Sequence, residues 1–114
     1  MINYHDKKFS SIKSIGTGEV DATTIFHYRQ EGNTVWATYK GGAIRMGTLL
    51  AQVDTDGKLN MIYQQLNTTG EFRTGKCIST PEILADGRIR LHEVWQWTNG
   101  DLSKGESIIE EIVY

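Results

Sequence analysis

DGRIRLHEVWQWTNGDLSKG, residues 86–105, reads as a complete β-hairpin: a strand, a turn at Asn99-Gly100 and the start of a return strand. A matching stretch at 56–75 reads DGKLNMIYQQLNTTGEFRTG. Asp56 and Asp86, Gly57 and Gly87, Thr68 and Thr98, Gly70 and Gly100, and Gly75 and Gly105 coincide, and Lys58/Arg88, Leu59/Ile89, Met61/Leu91, Glu71/Asp101 and Phe72/Leu102 exchange like for like. A fainter copy with a shorter first strand, EGNTVWATYKGGAIRMG, occupies 31–47. One hairpin cannot bury its apolar face alone, whereas neighbouring copies bury each other's, so the repetition predicts a sheet built from consecutive hairpins.

Working outward, the same punctuation recurs. TTIFHYRQ turns at Glu31-Gly32-Asn33 into TVWATYK, and Gly41-Gly42 leads into AIRMGTLLAQV. After the second clear hairpin the chain ends in ESIIEEIVY. The stretch KKFSSIKSI predicts a short strand and GTGEVD behind it a turn, although the first twenty residues carry the weakest pattern. About eight strands of six to twelve residues result, with no helical-period segment among them. Val, Ile and Thr outnumber Ala several-fold, and the 12 Gly stand against 1 Pro, which agrees with strands and turns. The predicted fold is all-β: one domain over residues 1–114, a single antiparallel up-and-down meander closing into a small calycin-like barrel, since closure removes the unpaired edges. An open sheet or two-sheet sandwich is the alternative. Gly47, Gly75 and Gly105, each a few residues past its turn, are expected to let strands bend at barrel corners.

Strand alternation then assigns side chains to faces. Ile89, Leu91, Glu93, Trp95 and Trp97 share the more apolar face of their strand, so that face is expected inside, with His92 outside. Leu59, Met61, Tyr63, Gln65 and Asn67 match them in the preceding copy, and Cys77, Ser79, Ser107, Ile109 and Glu111 join them if the glycine positions face inward. An eight-strand barrel is either filled by side chains or holds one small molecule. The candidate ligand-binding residues are Tyr63, Gln65, Arg73, Cys77, Glu93, Trp95, Trp97 and Glu111, with Arg73 as a counter-charge and Arg73 and Glu111 setting the charge inside. Leu59, Met61, Leu91 and Trp97 would supply apolar walls. The plain alternative is that Glu93 sits in water at a barrel mouth and the two tryptophans only pack.

Several function classes are disfavoured. A net charge of −2 with mixed signs offers no basic face for nucleic acid. No apolar run reaches membrane-spanning length, and MINYHDKKFSS lacks the apolar centre of a signal peptide, while the single Cys77 fits a reducing cytoplasm. Scattered His5, His27 and His92 predict no metal site, and no nucleotide-binding fingerprint predicts a cofactor.

The segment RLHEVWQWTNGDLSKGESIIEE, with PEIL before it and MIYQQLN further back, resembles a family of short bacterial proteins often labelled N-acetylglutamate synthase, and the resemblance extends from about residue 23 onward. That label implies acetyl transfer from acetyl-CoA to the amine of glutamate. It also implies a mixed α/β fold in which a Gln/Arg-x-x-Gly-x-Gly/Ala loop opens a helix that holds pyrophosphate. The nearest match, Arg29-Gln30-Glu31-Gly32-Asn33-Thr34, lacks the final small residue. In design the inferred barrel is similar to the streptavidin, lipocalin and fatty-acid-binding group, a likeness of architecture. The leading functional expectation is non-catalytic binding of a small, partly apolar molecule. An acyltransferase or a hydrolase using Glu93 as general base, and a filled barrel acting as an interaction module or homodimer through the tail IIEEIVY, are the alternatives.

Overall fold

A computed structural model describes residues 2–113. Eight strands, β1 (Lys7–Ile15), β2 (Ile25–Glu31), β3 (Thr34–Gly41), β4 (Ile44–Val53), β5 (Leu59–Asn67), β6 (Phe72–Ile83), β7 (Ile89–Trp97) and β8 (Lys104–Ile112), follow one another around a closed antiparallel barrel. β1 pairs with β2 on one side and with β8 on the other, so the weakly patterned N-terminal stretch is the stave that shuts the ring. Residues 108–112 of the tail lie in β8, which is paired with β7 on one side and with β1 on the other. No described helix is long and apolar enough to cross a membrane.

The repeat has a structural meaning in the register. Tyr39 of β3 lies directly across from Gly47 of β4, Tyr63 of β5 from Gly75 of β6, and Trp95 of β7 from Gly105 of β8. In each pair the ring covers its glycine, and a Cβ there would overlap the ring. These glycines were expected to bend strands at barrel corners. They also act as clearances within strands, over which an aromatic ring packs. The turn glycines do the conformational work: Gly57 and Gly87 hold φ of 83° and 90°, a region open to Gly and strained for other residues.

The barrel has two unlike ends. At the lower one, where odd-numbered strands begin, Tyr4, Phe9, Tyr28, Val35, Leu59, Leu91 and Ile109 are all 0 % exposed. The Tyr4 hydroxyl donates to the Gly57 carbonyl at 2.5 Å, and Ile2 packs near Gly57 and Pro81, so the N-terminal residues plug this end. Complete burial of each such side chain is worth roughly 1.5–3 kcal/mol, which makes this half of the barrel its stabilising floor. At the upper end residues 16–24, between β1 and β2, fold across the mouth.

Candidate functional site

Between floor and mouth lies a cavity of about 50 Å³. β5 contributes Met61, Tyr63 and Gln65, β6 Cys77, β7 Glu93, Trp95 and Trp97, and β8 Ser107, while Gly18, Glu19 and Val20 roof it. Six of the eight sequence-predicted residues, Tyr63, Gln65, Cys77, Glu93, Trp95 and Trp97, therefore meet in one place. Arg73 and Glu111 do not. Arg73 sits on the upper rim with its guanidinium 4.1 Å from the Trp97 ring centroid and 3.7 Å from Asp101. Glu111 lies at the floor, where it accepts the Ile89 N–H at 3.1 Å and pairs with Lys7 at 3.3 Å. Strand parity put both on the inward face correctly, but neither is a counter-charge for Glu93, because they stand at opposite ends.

Glu93 occupies the middle of a cross-strand row, with Ser79 of β6 opposite it on one side and Ser107 of β8 on the other. The Ser79 hydroxyl donates to one carboxylate oxygen at 2.9 Å and the Ser107 hydroxyl to the other at 3.0 Å. Burial pushes the Glu93 carboxyl above its ordinary range, while the hydrogen bonds from Ser79, Ser107 and Cys77 pull against that rise without cancelling it. Glu93 is half-buried by surface area and borders both the cavity and a groove on the outer wall. Burial and the Glu93 charge together drive the Cys77 thiol far above the usual thiol range, which favours the neutral sulfhydryl. Tyr39 and Tyr63 are likewise held in the phenol form, first by burial.

Sequence reasoning missed Glu19. Its two oxygens accept from the Gln65 amide at 2.7 Å and the Asn67 amide at 2.8 Å, and Gln65 in turn accepts from the Tyr39 hydroxyl at 3.0 Å. Trp97 donates its indole N–H to the Thr17 carbonyl at 3.4 Å, and Thr17 and Ser103 share a hydroxyl contact at 2.5 Å. These bonds latch the roof to β5, β7 and the β7–β8 turn. The only signal in the sequence was that Asn67 and Gln65 are polar residues on an inward face, which need a polar partner.

Residues 29–34, the nearest match to an acyl-CoA loop, form the end of β2, its turn and the start of β3, with no helix behind them. No described group of His, Cys, Asp or Glu is placed to hold a metal ion. No curated protein and no solved structure matches the chain. A family model described as avidin-like protein matches residues 2–112, nearly all of the barrel from plug to closing strand, and the chain belongs to the avidin-like family.

Proposed function

We propose that the barrel binds a small, partly apolar molecule in the roofed cavity and does so without catalysis. The observation that carries this reading is a half-buried carboxylate, held by two serine hydroxyls, at the edge of a cavity walled by Trp95, Trp97 and Tyr63. Aromatic walls with a few convergent polar groups are the usual make-up of a small-ligand site, and membership of the avidin-like family agrees with it. The cavity is about 50 Å³, about a third of the roughly 150 Å³ that takes up a benzene ring in an engineered core. A ligand larger than a few heavy atoms therefore needs the roof to lift, which means breaking the Glu19 latch.

The test uses the chain's own fluorescence. In a Trp36→Phe background the emission comes from Trp95 and Trp97, and titration with a panel of small metabolites should change it saturably for at least one class. Glu19→Ala should speed that change, because loss of two charge-assisted hydrogen bonds removes about 2 kcal/mol from the closed roof. A flat response across the panel in both proteins would count against binding.

A second reading, self-association, is favoured by the outer face. Leu50 and Ile62 are cross-strand neighbours, as are Ile78 and Val94, and all four are exposed, with Ile62 at 65 %. Contiguous apolar surface of this kind marks an interface more often than bare wall. Sedimentation equilibrium should show a dimer or larger species that Ile62→Lys returns to monomer; a wild-type monomer at every concentration removes the idea.

A further inference from the structure

We propose that the cavity selects a small organic cation, a protonated alkylamine, seated with its ammonium on Glu93 and its carbon atoms against the aromatic walls. This rests on the binding reading above and names the ligand chemistry. The cavity lining contains two carboxylates, Glu19 and Glu93, and no lysine, arginine or histidine. Glu19 already serves two amides, which leaves Glu93 as the acceptor a ligand can reach. A carboxylate has about four acceptor positions; the hydroxyls of Ser79 and Ser107 take one on each oxygen and the Cys77 thiol a third, which leaves one for a ligand.

No described cation lines the cavity itself; Lys13 borders the groove on the outer side of Glu93, and the other cations near Glu93 in sequence or register lie elsewhere. Lys7 pairs with Glu111, Arg88 and Arg90 pair with Glu110, and Arg73 lies over Trp97 beside Asp101. A buried carboxylate without a counter-ion is costly, and a ligand that brings the opposite charge recovers that cost as affinity. Trp95, whose ring centroid lies 5.5 Å from that of Trp97, and Tyr63 add faces that attract a cation at close range, while Arg73 already covers one face of Trp97. An anionic ligand would meet Glu93 as a like charge. A neutral alcohol would leave the carboxylate uncompensated.

The other ionisable groups around Glu93 do not compete for the role. Cys77 of β6, Tyr28 of β2, Tyr39 of β3 and Tyr63 of β5 are all held protonated, with burial as the first cause in each. Outside the wall His92 of β7, Glu106 of β8 and Lys13 of β1 border the groove behind Glu93 and Ser107.

Three isosteric probes, n-propylammonium, n-propanol and propionate, titrated against tryptophan emission, test this. The ammonium should bind at least tenfold more tightly than the other two, and Glu93→Gln, checked as folded by its thermal melt, should lose at least tenfold for the ammonium alone. If the alcohol or the carboxylate binds as well as the amine, or if Glu93→Gln keeps the amine's affinity, cation selection is wrong while small-molecule binding stands. If no probe and no member of the metabolite panel perturbs the emission, both readings fall.

Discussion

Gly105→Ala is expected to be among the most damaging single-methyl changes in the barrel, costing about 3 kcal/mol, in the range where overpacking has no outlet. The added Cβ would overlap the Trp95 ring and also the Ile15 carbonyl of the neighbouring strand. A side chain can turn away; a backbone carbonyl fixed in the β1–β8 seam cannot. Gly70→Ala makes the control. Gly70 sits in a turn at φ of 87° with nothing within 4 Å of where a Cβ would stand, so only the backbone strain of about 1–2 kcal/mol is expected. Thermal melts of the two variants should differ by more than about 5 °C, since each kcal/mol moves the midpoint of a domain this size by several degrees. Equal losses would show that the ring does not need its clearance.

Glu93→Gln is expected to move stability the other way. Burial holds the Glu93 carboxyl above its ordinary value of 4.5 in the folded barrel. Between that value and the raised one, the native state keeps a proton that the unfolded chain has released, so stability falls as pH rises through the window and stays reduced above it. Below the unfolded value both states are protonated and the penalty is absent. Glutamine resembles the protonated acid, and the Ser79 and Ser107 hydroxyls can turn to suit its amide. The variant should therefore be more stable than wild type at pH 7–8, by on the order of 1–2 kcal/mol, and equal to it well below pH 4.5. The neighbouring Cys77, Tyr28, Tyr39 and Tyr63 stay protonated across this range and leave the comparison clean. Melting curves of the two proteins that run parallel from acid to neutral pH would remove the argument. A carboxylate kept where it weakens the fold is also what a binding role would require.

Much of the barrel was legible because local rules decide it. Turn glycines at 57, 70, 87 and 100 stopped and restarted strands at regular intervals, and alternation along β7 put Glu93, Trp95 and Trp97 inside. What alternation cannot supply is height along the barrel axis, because that depends on how far each strand is staggered against the next. Arg73 and Glu111 share the inward face with Glu93, yet one stands on the rim and the other at the floor. Glu19 was invisible for a related reason: a loop residue acquires its partners only when closure brings 16–24 over β5, and nothing near it in sequence announces Gln65 or Asn67. The glycine clearances were read in the right places without their covering rings, which only the register across the hairpin reveals.

The seam between β1 and β8 joins Lys8 to Ile112, almost the whole chain apart. A ribosome-bound chain that has not yet released its last strand carries two raw flanks, β1 on one side and β7 on the other, each with a row of unmet peptide groups. Protection from sticking to another copy thus arrives in a single late event, after a contact of the longest possible sequence separation. The polypeptide is therefore most vulnerable in the interval between completing its seventh stave and seating its eighth.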